Sequence, residues 1–182
     1  MFHDEPKTLW WAIFGVICLS IVSAVLWPVR MHPTIANQRS RSLSNMKQLG
    51  QAMNLYSTDW DDQLPLASRW ESRLSNYITV PRLFEIYTRD EKVIHRSALN
   101  HSMSHLNILR IESPEVTVEV FESGSRSKDQ VGGRSLVGYD PKDFKSLLLF
   151  VDSHVKAYDD STIGKLGWTP QVSASISTNA RS

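Results

Sequence analysis

The chain has 182 residues, a formal net charge of +1 and 41% hydrophobic residues. That near-neutral balance excludes a global field that would select nucleic acid or a strongly acidic partner. The single cysteine, Cys18, excludes an intrachain disulfide, and its apolar neighbours are a poor setting for a thiolate nucleophile.

A short leader over residues 1–8 comes first. It is followed by an uncharged run from Leu9 to Trp27, LWWAIFGVICLSIVSAVLW, whose only polar side chains are Ser20 and Ser23. As a helix rising about 1.5 Å per residue, the run measures roughly 29 Å, close to the hydrocarbon thickness of a bilayer. It predicts a single-pass transmembrane helix over 9–27, with the lipid bilayer as a partner. The leader carries Asp4, Glu5 and Lys7, and the run ends in Leu26-Trp27-Pro28-Val29 without a small-residue cleavage site, so the reading is an uncleaved anchor. Trp10, Trp11 and Trp27 lie at the ends of the run, where amphipathic rings favour the headgroup level. Arg30, Arg39, Arg41 and Lys47 follow the run and only Lys7 precedes it. Taken alone, that asymmetry places the following domain in the cytoplasm.

Pro28 and Pro33 predict a kink or break, after which a helix resumes over about 34–60. Met46, Leu49, Met53, Tyr56 and Trp60 recur at spacings of three and four and draw one apolar stripe, read as the spine of a core. Gly50 costs about 1 kcal/mol against alanine in a helix interior, which calls for a close neighbour. Asp59, Asp61 and Asp62 offer hard oxygen ligands for Ca²⁺, but the stretch lacks an EF-hand's glycine and later glutamate and reads as a solvated turn. Residues 68–95 give a shorter amphipathic segment in which Trp70, Leu74, Tyr77 and Ile78 share a face until Pro81.

His101 and His105 would share a face on a helix, as two zinc ligands do. No glutamate lies between them, no cysteine is near, and the only third ligands in sight are His95 and His154. They read as ordinary histidines, and no metal or cofactor is expected. The remainder reads as sheet. Val116, Val118 and Val120 alternate with Thr117, Glu119 and Phe121; residues 122–133 (ESGSRSKDQVGG) form a polar loop; and Ser146–Val151 is an apolar strand. Asp152 and Ser153 make a two-residue turn into a return strand from His154 to Tyr158. The serine-rich segment 169–182 reads as a disordered tail.

Three blocks resemble a bacterial prepilin-like, pseudopilin-like family. They are Leu26-Trp27-Pro28-Val29, the stretch RSRSLSNMKQLGQA over 39–52, and YSTDWDDQLP over 56–65. Members carry a prepilin-type N-terminal helix and a strand followed by Asp-Gly and His-Val-Lys, with a histidine ten residues before that aspartate. Here Leu149-Phe150-Val151-Asp152-Ser153-His154-Val155-Lys156 stands at that place, and the stretch 116–123 is similar to the family's middle strand. The resemblance implies a pilin-like α+β fold: a long N-terminal helix, half in the membrane and half amphipathic, packed on a small antiparallel sheet over 28–168. It also places that domain outside the cytoplasmic membrane, and this reading is preferred to the charge asymmetry.

The departures bear on function. Pro6 stands where the family has the glycine before the peptidase cut, and Lys7 to Trp11 replace the residues that follow. Trp11 takes the place of the glutamate that pairs with a neighbouring subunit's terminal amine in a filament. Ser42 replaces a family cysteine, Lys142 the upstream histidine and Ser153 the glycine. The sequence therefore reads as a degenerate processing site at Pro6, Lys7 and Trp11, and a terminal hairpin of Asp152, Ser153 and His154 without its full motif. The resemblance implies a membrane-anchored structural or assembly protein of a type II secretion or type IV pilus-like system, with other pilin-like subunits or secretion machinery as partners. The alternative is a membrane-tethered extracytoplasmic binding module that is neither processed nor polymerised. Its contact regions would be the 122–133 loop and the surface around His101 and His105. No catalytic constellation, nucleic-acid signature or small-molecule substrate emerges from the residues.

Overall fold

The computed structural model describes residues 6–31, 34–87, 94–140 and 144–173. The chain divides into two compact units, Met1–Asn37 and Gln38–Ser182.

The first unit is built on helix α1 (Pro6–Met31). Proline is tolerated at a first helical position because that N–H has no intrahelical acceptor. The described side chains of α1 run from Trp10 to Ala24, and all of them are exposed. They form no stripe: Phe14, Ile17, Leu19 and Ile21 are each more than half exposed on different sides of the rod. Ser20 returns its hydroxyl proton to the Val16 carbonyl at 2.8 Å, satisfying itself within the helix.

Helix α2 (Thr34–Asp59) follows, with residues 32–33 outside the described ones. Among the described residues no helix is long and apolar enough to cross a membrane. The pilin-like fold class, the transmembrane single-pass anchor and the placement in the cytoplasmic membrane are thereby corrected. In their place stands a six-stranded sheet with α2 and several short helices.

The sheet contains β1 (Glu85–Tyr87), β2 (Ile94–Asn100), β3 (Val118–Ser123), β4 (Val131–Gly132), β5 (Lys145–Phe150) and β6 (Val155–Asp159). Its order is β1-β2-β3-β5-β6, every neighbour antiparallel, with the two-residue β4 added in parallel to β2. One face packs with α2. Met46, Leu49, Met53 and Tyr56 are buried there with Leu99, Val120, Leu147 and Leu149. Spacings of three and four bring those α2 residues to one side of the helix, so each buries against the same sheet face. Gly50 faces that contact: a Cβ there would meet Leu149 Cδ1 at 2.8 Å, which accounts for a glycine inside the helix. The other face carries Ala98, Val118, Phe121, Leu148 and Phe150, covered by Ile163 of α4 (Asp160–Ile163) and by Tyr158 and Trp168. Phe121 and Trp168 meet edge to face with centroids 5.3 Å apart.

Cover on both faces defeats the alternation expected of β3, all six of whose residues are buried. The register against β5 shifts between Val118 and Val120, a bulge that leaves Glu119 within it. The hairpin joining β5 and β6 also differs from expectation. Phe150 N–H donates to the His154 carbonyl and Ser153 N–H to the Phe150 carbonyl, so three residues, not two, form the loop. Only Ser153 takes positive φ there, at 69°. Asn54 Nδ2 donates to its Oγ at 2.7 Å, tying the loop to α2.

Candidate functional site

A cleft of about 380 Å³ opens where the stretch 71–85, β2 and the polar loop converge. The five-residue helix α3 (Trp70–Leu74) supplies Glu71 and Ser72, and the turn after it supplies Ser75 and Ile78. A 3₁₀ turn, Pro81–Phe84, supplies Arg82 and Phe84, and β2 supplies Arg96. The polar loop supplies Lys128 and Asp129.

Trp70 is fully buried, packed edge to face on Phe84 at 5.3 Å, and fixes the floor. Its indole N–H donates to the Gln130 carbonyl at 3.2 Å. Next to it a reciprocal clasp forms: Glu71 N–H donates to Asp129 Oδ1 at 2.9 Å, and Asp129 N–H donates to Glu71 Oε1 at 3.0 Å. Arg96 closes the arrangement with an ion pair to Glu71, both side chains at least 88% buried, and its backbone N–H donates to the Ser125 carbonyl. Glu85 lies 4.0 Å from the same guanidinium. These bonds hold the polar loop against α3 and β2. Asp129 accepts positive φ (50°), which aspartate tolerates better than most residues.

The charges around the cleft are unevenly matched. Glu71 is answered by Arg96 and a backbone N–H, and Asp129 by the Glu71 N–H. Arg82 and Lys128 are exposed, and their side chains hold no ion pair or hydrogen bond among the described residues. The rim therefore presents two cations over a floor made by Phe84 and Ile78.

Two further carboxyls lie buried on β3. Glu122 Oε2 accepts from Arg39 Nη1 at 3.0 Å and from the Leu147 N–H at 3.2 Å, while its Oε1 faces His95 Nδ1 at 3.6 Å. Glu119 is 2% exposed, and burial pushes its carboxyl up to about 8, so it is held neutral at neutral pH.

The structure scatters the residues singled out in the sequence. Trp10 and Trp11 are exposed on α1; the side chains of Pro6, Lys7 and Trp27 lie outside the described ones. Met46, Leu49, Met53 and Tyr56 are core, whereas Trp60 lies one residue past α2, half exposed and stacked on Tyr56 at 5.6 Å. Asp59 accepts from the Tyr77 hydroxyl at 3.0 Å; Asp61 and Asp62 take positive φ, and their carbonyls accept from Asn107 Nδ2 and the Ile108 N–H. His101 sits in a 3₁₀ turn with Nδ1 3.1 Å from the Gly132 carbonyl, and His105, past that turn, itself takes positive φ (53°), so the two share no helical face. Among the described residues no three potential ligands gather as a metal set. Asp152 and His154 do meet, Oδ1 to Nδ1 at 2.6 Å, because the turn also makes the His154 N–H a donor to that oxygen at 3.1 Å. His154 stacks flat on Phe150.

Sequence reasoning missed the cleft except for its Lys128–Asp129 wall, which falls in the loop picked as a contact region. Comparison with family models, with curated proteins and with solved structures finds no match.

Proposed function

We propose that the second unit is a binding module and that the cleft between α3, β2 and the polar loop is where it binds. The observation that carries this reading is the pairing of a preorganised wall with unanswered charge. Glu71, Arg96 and Asp129 are locked to one another, while Arg82 and Lys128 beside them have no partner among the described residues. Surface cations alone are ordinary. Cations on the rim of a concave site of about 380 Å³, with an aromatic floor, are the usual ingredients of a small-ligand pocket.

A thermal-shift screen of small acids, amines and neutral compounds on the full chain tests this. The comparison is with Ser75→Trp, a substitution at an exposed lining position that fills the cleft. Compounds that raise the wild-type midpoint should leave the variant unmoved. Equal stabilisation of both proteins, or of neither by any compound class, contradicts the reading.

A further inference from the structure

We infer that the cleft takes a carboxylate joined to an apolar group, such as an aryl- or alkyl-substituted acid or the C-terminal residue of a peptide; this rests on the binding reading above. The sign of the charge follows from which groups are already answered. An incoming cation would have to compete with Arg96 for Glu71 and Glu85, or with the Glu71 N–H for Asp129, and would meet Arg82 and Lys128 as like charges. An incoming anion displaces nothing and gains both cations. Arg82 offers the planar fork that matches a carboxylate in two parallel hydrogen bonds, and Lys128, from the polar loop, a movable ammonium.

The apolar half follows from the floor. Phe84 is 4% exposed, with its ring beneath the cleft and the Arg96 guanidinium 6.0 Å from its centroid, and Ile78 stands half-buried beside it. A ring or branched chain laid there replaces water over the aromatic floor, while the carboxylate stays at the wetter rim. The volume, about 380 Å³, lies near the small end of the range for ligand pockets, about 300–1,000 Å³. It therefore fits a ligand of one ring or one residue rather than a nucleotide or a folded partner.

Calorimetric titration of the full chain tests this with five probes: 3-phenylpropionate, its amide, 3-phenylpropylamine, and acetyl-Ala-Ala-Phe with its C-terminus free and amidated. The free acids should bind, and their amides about tenfold or more weaker. The Arg82→Gln/Lys128→Gln double variant, which keeps side-chain length at two exposed positions, should lose that preference with an unchanged circular dichroism spectrum. The tighter of the small acid and the free-C-terminus peptide identifies the source of the carboxylate. Equal binding of acid and amide, or acid binding retained by the double variant, overturns the inference. Binding of the amine alone also overturns it but leaves the cleft a binding site. No binding by any probe overturns the inference, and the thermal-shift screen then decides the binding reading separately.

Discussion

Glu119 and Glu122 stand three residues apart on β3, both out of contact with solvent, and the chain treats them oppositely. Glu122 has a cation beside it: Arg39 and the Leu147 N–H bond one oxygen, and His95 Nδ1 lies 3.6 Å from the other. Glu119, in the bulge, has burial as the dominant influence, and the cheaper solution is to keep its proton. A buried acid in this fold is either answered by a cation or held neutral. The cleft extends the same rule outward. There Glu71 is paired with Arg96, while Arg82 and Lys128 have no partner among the described residues.

Glu119 gives the largest effect by which this contrast can be broken. The unfolded chain releases the proton near the ordinary 4.5, while the folded chain holds it to about 8. Between those values the folded state binds more protons, so stability must fall as pH rises, then level off above about 8. The loss is up to about 5 kcal/mol over that window. Glu119→Gln cannot ionise and should flatten that part of the profile, read by urea unfolding from pH 4 to 9. An unchanged slope in the variant would show that Glu119 is solvated.

Glu122→Gln should act the other way. It strands Arg39 against the sheet and should cost about 4 kcal/mol, measurable as a lower urea midpoint at pH 7. Arg96→Met leaves Glu71 buried with only the Asp129 N–H and should cost about 3 kcal/mol. Amide exchange in 125–130 should quicken, because the guanidinium helps hold that loop. At the small end, Arg82→Gln and Lys128→Gln should each move stability by no more than about 0.5 kcal/mol, since both are exposed and without a partner among the described residues. A loss as large as that of Arg96→Met would mean these cations are structural and would erase the difference on which the cleft argument stands.

Periodicity served where one face of an element is buried and the other is wet. The Met46, Leu49, Met53 and Tyr56 stripe works because α2 meets the sheet along one side only. Alternation was no guide to burial in β3, since a strand covered on both faces has no outward side and buries Glu119 with its neighbours. Overall apolarity misled most. The run from Leu9 to Trp27 reads as a membrane span from composition, yet among the described residues no helix meets the length and apolarity required. Glu122 looked like the first residue of a polar loop because its cation, Arg39, lies 83 positions away. The cleft was illegible for the same reason. Glu71, Arg82, Arg96 and Lys128 acquire their relation only when the fold brings a short helix, a turn, a strand and a loop to one place, and no local spacing announces that.

The most direct test of the binding cleft is amide chemical-shift mapping of the full chain titrated with 3-phenylpropionate. The saturable shifts should centre on Ser72, Ile78, Phe84, Lys128 and Asp129, with α1 and the β5–β6 loop unmoved. Shifts centred on Trp10 to Ala24, on Asp152 to His154, or nowhere that saturates, would contradict it.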